Sequence, residues 1–380
     1  MEVAKRLEGI EEYYFAKKLR EIEDMNNAGK KVINLGIGSP DLPPHETVVR
    51  VLYDESLKPG QHGYQNYKGN IIFRTAISDW YRKWYGIDLD PATEILPLIG
   101  SKEGIMHVCM TFINPGDIVL IPNPGYPTYR SVAKIAGGEC MEYILSEKNN
   151  WFPDLVAMES MDLTRAKLMF VNYPHMPTGK LPTLEMFAEL VDFARRHNII
   201  LCHDNPYSFI LNDKPMSMLA IPGAKDVVIE LNSLSKSHNM AGWRIGMLLG
   251  KEEFVSTVMR FKSNMDSGMF LPVQLAAAKA LELDERWFKE LNEIYRSRRL
   301  LIFKLLQHLK CTFDTNQAGL FVWAKIPPRY VDSYAFSDQI LHDIQVFITP
   351  GSIFGSQGDQ FIRVSLCSKE ENINEAIGRI

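Results

Sequence analysis

The segment "SLSKSHNMAGWRIG", residues 233–246, combines residue types that could hold a carbonyl compound and a phosphate group. Lys236 follows an apolar run, and a lysine amine at the end of a buried strand can form a Schiff base with a carbonyl carbon. Arg244 comes eight positions later, and its guanidinium offers a two-pronged donor to phosphate, with the nearby hydroxyl of Ser233 as a further donor. Taken alone, the segment also fits a solvated loop with an incidental lysine.

A second candidate is the acidic residue in "NIILCHDNPYSF". Asp204 ends an almost entirely apolar run, and a buried carboxylate is costly unless a cation or donor pairs with it. A protonated ring nitrogen of a cofactor would be such a partner, and Tyr207 could donate to an oxygen on the same ring. The alternative is that Asp204 caps the next helix or forms a salt bridge within the scaffold.

Three further segments could complete such a site. Gly100 and Ser101, in "LIGSKEGI", open a predicted helix whose first N–H groups would attract an anion. Tyr126, in "PGYPTY", could stack on an aromatic ring or be a surface turn residue. Arg363 lies inside the apolar run "FIRVSL" and would bind a carboxylate there, or else form an internal ion pair.

The loop "NYPHMPTGK", residues 172–180, contains an unexpected apolar residue. Its two prolines and its glycine predict a loop that leaves a strand. Met176 stands at the centre of this loop, beside His175, where the surrounding residues indicate a polar site.

Apolar runs and helical patterns alternate from about residue 46 to residue 280. The runs are "DIVLIP", "KLMFVN", "NIILCHD", "DVVIELN" and "RIGMLLG". This alternation predicts an α/β fold with a largely parallel sheet covered by helices on both faces, and ligands bind at the carboxyl ends of such strands. After about residue 284 a long charged helix and the runs "GLFVWAKI", "VFITPG" and "FIRVSL" predict a smaller α+β part. We therefore predict a large domain over 46–280 and a small domain formed by 1–45 with 281–380.

Composition excludes several classes of protein. The net charge of −4, from 42 basic and 46 acidic residues, gives no electrostatic footprint for nucleic acid. No apolar run approaches the ~18 residues that a membrane span needs, and the N-terminus lacks the pattern of a signal peptide. The five cysteines lack zinc-site spacing, so we predict no metal site and reduced cysteines in a cytoplasmic protein.

Taken together and in this order, these segments resemble the pyridoxal-phosphate aminotransferases of fold type I, class I/II. The resemblance spans nearly the whole chain, from "INLGIGSPD" to "PGSIFGSQGDQFIRVS". It implies pyridoxal 5′-phosphate as cofactor, bound as a Schiff base to Lys236, with Asp204 on the ring nitrogen and Tyr207 on the ring oxygen. The resemblance assigns further ligands to the phosphate (Ser101, the amide of Lys102, Ser233, Arg244), to the ring face (Tyr126) and to the substrate α-carboxylate (Arg363 and the backbone at Gly38).

The resemblance also bears on assembly and activity. Tyr64, in "HGYQNYKG", matches a tyrosine that reaches the phosphate of the neighbouring subunit, which implies a homodimer with shared active sites. The implied reaction is a ping-pong exchange of an amino group between an L-amino acid and a 2-oxo acid. "IGSKEGI" and "SNMDSGMF" are similar to L,L-diaminopimelate aminotransferases and to relatives that accept aspartate or alanine. Arg260 is about one position away from the arginine of dicarboxylate-specific members, so strict aspartate specificity is not expected.

In that family the loop after this strand usually reads N-x-P-x-N-P-T-G. Its second asparagine donates to the cofactor's ring oxygen and lies near the substrate carboxylate, and here that position is Met176. The resemblance thus implies a site whose loop keeps its shape and loses one donor. His175 could replace that donor or point away from the site.

Three alternatives remain at this point. A pyridoxal-phosphate-dependent C–S β-lyase or synthase of the same fold would use the same lysine, aspartate and arginine. A regulatory protein with an aminotransferase-like sensor would carry a DNA-binding module, but only about 30 residues precede "VINLG". A protein that binds the cofactor without turnover is supported only by Met176.

Overall fold

Thirteen strands and thirteen α-helices make up the computed structural model, which describes residues 2–380. The strands are β1 (Ile33–Asn34), β2 (Ile95–Leu98), β3 (Ile118–Asn123), β4 (Glu139–Ile144), β5 (Ala166–Val171), β6 (Ile200–Asp204), β7 (Val228–Ser233), β8 (Gly246–Leu249), β9 (Thr312–Phe313), β10 (Phe321–Lys325), β11 (Val346–Phe347), β12 (Thr349–Pro350) and β13 (Phe361–Ser365). The helices are α1 (Tyr14–Asn27), α2 (Glu46–Ser56), α3 (Ile71–Tyr85), α4 (Ser101–Phe112), α5 (Pro127–Ile135), α6 (Leu155–Glu159), α7 (Leu184–His197), α8 (Leu234–Ser237), α9 (Glu252–Lys262), α10 (Leu271–Leu281), α11 (Glu285–His308), α12 (Ser333–Ile344) and α13 (Glu370–Gly378).

Seven strands form the central sheet, in the order β2-β8-β7-β6-β5-β3-β4. Only β8 runs antiparallel to its neighbours, which confirms the largely parallel sheet predicted from the sequence. The apolar side chains of these strands alternate between two cores, one shared with α3, α7 and α10 and the other with α4, α5 and α9. Because helices cover both faces, the strands read as continuous apolar runs in the sequence.

The C-terminal part of the chain contains a second, antiparallel sheet. Its order is β12-β13-β10-β9, and α11, α12 and α13 contribute to its core. β1 pairs in parallel with β11, so the N-terminal segment is tied to this C-terminal part. The domain boundaries near residues 46 and 280 stay a prediction.

The turns after the parallel strands bring the candidate residues to one edge of the sheet. Asp204 ends β6, and Ser233 ends β7 and caps the short helix α8, which carries Lys236. Parallel strands end at the same edge, so these side chains meet there although the sequence separates them. Among residues 2–380, no helix is long and apolar enough to cross a membrane.

Candidate active site

A cavity of about 540 Å³ opens at the carboxyl ends of the parallel strands. Eleven of the twelve residues predicted to contact the cofactor or the substrate line it: Gly38, Ser101, Lys102, Tyr126, Met176, Asp204, Tyr207, Ser233, Lys236, Arg244 and Arg363. The exception is Tyr64, whose side chain is 93% exposed on the surface of the chain. A single chain therefore brings together every predicted site residue except Tyr64, which was predicted to act on a neighbouring subunit.

Lys236 lines this cavity. Its Nζ donates to the carbonyl oxygen of Gly38 over 2.6 Å. Burial is the main reason that the pKa of Lys236 lies below its ordinary value, and the positive charges of Arg363 and Arg244 lower it further. A lowered pKa increases the fraction of neutral amine, which is the form that can attack a carbonyl carbon or accept a proton.

Asp204 presents one free carboxylate oxygen. Its Oδ2 accepts a hydrogen bond from the hydroxyl of Tyr129 over 2.8 Å, whereas its buried Oδ1 has no partner in the chain. Burial raises the pKa of Asp204 to about 6, while the Tyr129 hydrogen bond and the charge of His203 act in the opposite direction. Within the described chain Asp204 neither caps a helix nor forms a salt bridge with a lysine or arginine. Its free oxygen suits a cationic donor supplied by a bound ligand.

Tyr129 is a site residue that the sequence did not single out. It follows Tyr126 by three positions on α5, and its ring stacks on Phe170 with a centroid distance of 4.5 Å. Residues three apart lie on the same face of a helix, so the spacing between Tyr126 and Tyr129 could have identified Tyr129 as a site residue.

The end of the cavity next to the start of α4 contains hydrogen-bond donors that could bind an anion. Ser101 begins α4, a 12-residue helix whose first N–H groups are free to bind a ligand. Arg244 and the hydroxyl of Ser233 converge on the same end. A methyl group added at Gly246 would lie 2.6 Å from the Ser101 nitrogen, so β8 packs directly against the start of α4.

At the other end, Arg363 is a buried cation without an acidic partner. Its Nη2 donates to the Gly36 carbonyl over 2.9 Å, and its Nε has no partner. The guanidinium carbon lies 3.8 Å from the centre of the Phe321 ring. Burial lowers the pKa of Arg363 to about 10, which leaves it charged at neutral pH. No ion pair forms at Arg363 within residues 2–380, so the internal-ion-pair alternative is wrong and the group is available for a carboxylate.

The loop around Met176 keeps a defined shape. The Met176 N–H donates to Asn172 Oδ1 over 2.8 Å, and Asn172 Nδ2 donates to the Asp204 carbonyl over 2.6 Å. Met176 Sδ lies 3.3 Å from Arg363 Nη1. Neighbouring His175 is buried outside the cavity lining with its Nδ1 on Thr178, and burial lowers its pKa to about 3. His175 therefore points away from the site, and the sulfur of Met176 offers no donor in its place.

Several aromatic side chains also line the cavity. Tyr207 and Tyr126 line it, and Tyr126 meets the ring of Tyr129 edge-on at 5.5 Å. Tyr13 and Phe15, at the start of α1, also line it. Neither residue was among the predicted site residues, because nothing in the local sequence shows that this segment reaches the cavity.

Known proteins resemble this chain over its whole length. Residues 30–380 match the family model for aminotransferase class I and II. The LL-diaminopimelate aminotransferases of Moorella thermoacetica and Aquifex aeolicus are 41% and 40% identical to this chain, and each match covers 100% of this chain and 98% of the relative. Substrate-bound BacF from Bacillus subtilis superposes with a TM-score of 0.94 at 37% identity, covering 100% of this chain and 97% of that one. An aspartate aminotransferase from Thermotoga maritima superposes with a TM-score of 0.91 at 27% identity, covering 99% and 98%.

Proposed function

Because the chain belongs to the class I and II aminotransferases, we propose roles for its cavity residues and a substrate for its reaction. The protein is a pyridoxal-phosphate-dependent enzyme of fold type I that exchanges an amino group between an L-amino acid and a 2-oxo acid. The main support for the residue assignment is that Lys236 lines one cavity together with Asp204, whose Oδ1 has no partner, and Arg363, which forms no ion pair within the described residues.

The residues present fit pyridoxal 5′-phosphate. The first turn of α4, Ser233 and Arg244 would hold its phosphate, and the free Oδ1 of Asp204 would accept a hydrogen bond from its ring nitrogen. Tyr207 would donate to the ring oxygen, and Tyr126 would stack on the ring. Glycine at position 246 fits this arrangement, since any side chain would displace Ser101 from the phosphate end.

The cofactor supplies an acceptor for the electron pair left behind when the α-carbon of the substrate loses its proton. Lys236 is suited to move that proton, because its lowered pKa leaves a neutral amine in a buried site. Asp204, as a carboxylate, would keep a proton on the ring nitrogen.

Arg363 would orient the substrate. Its guanidinium has unused N–H groups and no competing carboxylate in the chain, so it can bind the α-carboxylate as a charged pair. Fixing that group orients the α-carbon toward Lys236, and such orientation can account for several kcal/mol of the barrier.

LL-diaminopimelate is the amino donor that we propose to test first. The support comes from full-length relatives named for that substrate at about 40% identity. Arg260 is exposed on α9, away from the cavity, so no arginine of α9 is available to select a second carboxylate.

The test uses the protein loaded with cofactor and no oxo acid. Each amino acid of a panel (LL-diaminopimelate, glutamate, aspartate, alanine, phenylalanine) is added, and the absorption of the bound cofactor is followed. We expect LL-diaminopimelate to convert the cofactor to its amine form most rapidly, and Lys236→Ala not to form the amine form with any amino acid, because the variant lacks the group that moves the α-proton. A panel without response contradicts the proposal, whereas ammonia and pyruvate released from cystathionine without an acceptor identify a C–S β-lyase.

We further propose a homodimer in the cytoplasm. Exposure of Tyr64 fits a role at a neighbouring subunit, and five unpaired cysteines fit a reducing compartment.

A further inference from the structure

A buried acid–base pair begins one residue before Asp204, and its side chains lie on the other face of the central sheet from the Asp204 side chain. His203 precedes Asp204 on β6, so its side chain points to the other face. β6 and β7 pair in a register that sets His203 beside Glu230. His203 Nδ1 and Glu230 Oε2 are 2.8 Å apart, and neither side chain is exposed.

Both ring nitrogens of His203 face acceptors. Nδ1 faces the Glu230 carboxylate, and Nε2 lies 3.1 Å from the carbonyl oxygen of Tyr173. A carbonyl oxygen can only accept, so Nε2 must carry a proton, and the carboxylate satisfies Nδ1 best when that nitrogen carries one too. The geometry therefore favours an imidazolium.

Glu230 is surrounded by donors that favour its ionised form. The hydroxyls of Tyr81 and Ser217 each donate to it over 2.7 Å, and the N–H of Met218 donates over 3.2 Å. With His203 and the Asn205 amide, which donates over 3.4 Å, this makes five donors around one carboxylate, and they offset the cost of burying its charge.

This hydrogen-bonded group contacts three segments that lead to the cavity: the loop after β5 and the ends of β6 and β7. His203 holds the carbonyl of Tyr173, which lies in the loop that carries Met176. Asn232, which precedes Ser233, donates to the Tyr81 hydroxyl over 2.9 Å. His203 itself is bonded through the backbone to Asp204, and its positive charge lowers the pKa of that carboxyl against the effect of burial.

We propose that the buried His203–Glu230 pair is a positioning device that keeps Asp204 ionised and in place for the ring nitrogen of the cofactor. His203 is a positioning residue, because it acts through Asp204 and does not line the cavity. The inference rests on the proposed role of Asp204, and its test measures cofactor binding without any amino acid, so loss of transamination cannot be mistaken for its failure.

Other titratable groups also face Asp204. They are Tyr129 on α5, Cys202 on the same strand, Tyr207 in the following turn and Lys236 across the cavity. All of them are unchanged in the variants below, so a difference between variants reports on His203 and Glu230.

The experiment measures the dissociation constant of pyridoxal 5′-phosphate from pH 5 to pH 8.5 for the wild type, His203→Gln and the double variant His203→Gln/Glu230→Gln. Removing a cation next to Asp204 favours its protonated form, so we expect the pH below which binding weakens to rise by about 1 unit, which makes binding at pH 5 weaker by a factor that approaches ten. Urea unfolding is measured on the same proteins. The double variant replaces the ion pair by a neutral amide pair and is expected to recover stability while the pH profile stays shifted.

Tyr143→Phe is the matched control. It removes a buried 2.7 Å hydrogen bond to Phe170 in the same sheet without touching the pair, so its pH profile should equal that of the wild type. If His203→Gln does not fold, the double variant carries the same test. An unshifted profile in the double variant, or an equal shift in Tyr143→Phe, overturns the proposal.

Discussion

Met176 lines the cavity beside Arg363 and has no hydrogen-bond donor in its side chain. Its sulfur lies 3.3 Å from Arg363 Nη1 and can only act as a weak acceptor. We predict that Met176→Asn lowers the pKa of the Schiff base at Lys236, because an added donor to the ring oxygen stabilises negative charge there and weakens its hold on the imine proton. One neutral hydrogen bond contributes roughly 0.5–1.5 kcal/mol, or up to about one pKa unit. Titration of the cofactor absorption measures this shift.

Met176→Leu is the control for that change, because it keeps an apolar side chain of similar size and adds no donor. Its titration should match the wild type. An equal or higher pKa in Met176→Asn would show that the ring oxygen is not the group this side chain faces.

We expect the buried carboxylate of Asp204 to destabilise the folded state of the cofactor-free protein. Its folded pKa of about 6 lies above the ordinary 3.8, so the folded state binds a proton that the unfolded state has lost between these pH values. Stability should therefore fall as pH rises from about 4 to 6. We predict that Asp204→Asn raises the free energy of unfolding at pH 8 by about 2–3 kcal/mol and weakens cofactor binding. Urea unfolding of the cofactor-free proteins at pH 8 and pH 4.5 measures this, and an equal gain at both pH values would point to packing instead of charge.

The cavity residues that could be predicted from the sequence are those that differ in polarity from their neighbours in the chain. Lys236, Asp204 and Arg363 are charged residues within or directly after apolar runs, and the cost of burying a charge makes such positions informative. Tyr129 and His203 gave no such signal. Their partners, Asp204 and Glu230, lie 75 and 27 positions further along the chain, and only the packing of α5 and the register of β6 with β7 bring them together.

At the scale of elements, the contact between β8 and α4 shapes the phosphate end. A methyl group at Gly246 would lie 2.6 Å from the Ser101 nitrogen and 2.8 Å from the Gly100 carbonyl carbon. We predict that Gly246→Ala pushes β8 away from the start of α4, lowers the free energy of unfolding by about 1–3 kcal/mol and weakens cofactor binding. Urea unfolding and cofactor titration measure both effects.

Gly242→Ala is the matched change four residues earlier. Nothing lies within 4 Å of a methyl group there, and its φ is outside the left-handed region, so stability and cofactor binding should stay near the wild-type values. Equal losses in both variants would argue against a tight β8–α4 contact.

The elements themselves were predictable where their patterns were uniform. β3, β5, β6, β7 and β8 were all found as apolar runs. β2 and β4 were missed, since β2 contains Pro97 and β4 contains Glu139 and Glu142. β4 is an edge strand with one neighbour, so it tolerates charged residues that a central strand would exclude. The antiparallel direction of β8 could not be read from its composition, because direction depends on the path of the preceding loop.

At the scale of the whole molecule, exposed apolar residues flank Tyr64 along the chain. Tyr53 and Leu57 on and after α2, and Ile71 and Ile72 at the start of α3, are exposed, and both helices pack on α10. Tyr64 lies in the segment between these helices. Exposed apolar residues around one tyrosine fit an interface between two copies that brings this tyrosine to the other copy's cavity.

Mixing two defective variants tests this arrangement. Lys236→Ala lacks the reacting amine, and we expect Tyr64→Ala to bind the cofactor weakly, because the partner's phosphate would lose one donor. A mixed dimer has one site with both residues intact, so reassembly of equal amounts should restore about a quarter of the wild-type sites at limiting cofactor. Transaminase activity after reassembly, with mixed dimers isolated by two different tags, is the measurement. The control mixes Lys236→Ala with Arg363→Ala, which line the same cavity and leave no site intact. Recovery in this control, or none in the isolated Lys236→Ala/Tyr64→Ala dimers, would show that Tyr64 does not act on the partner's cavity.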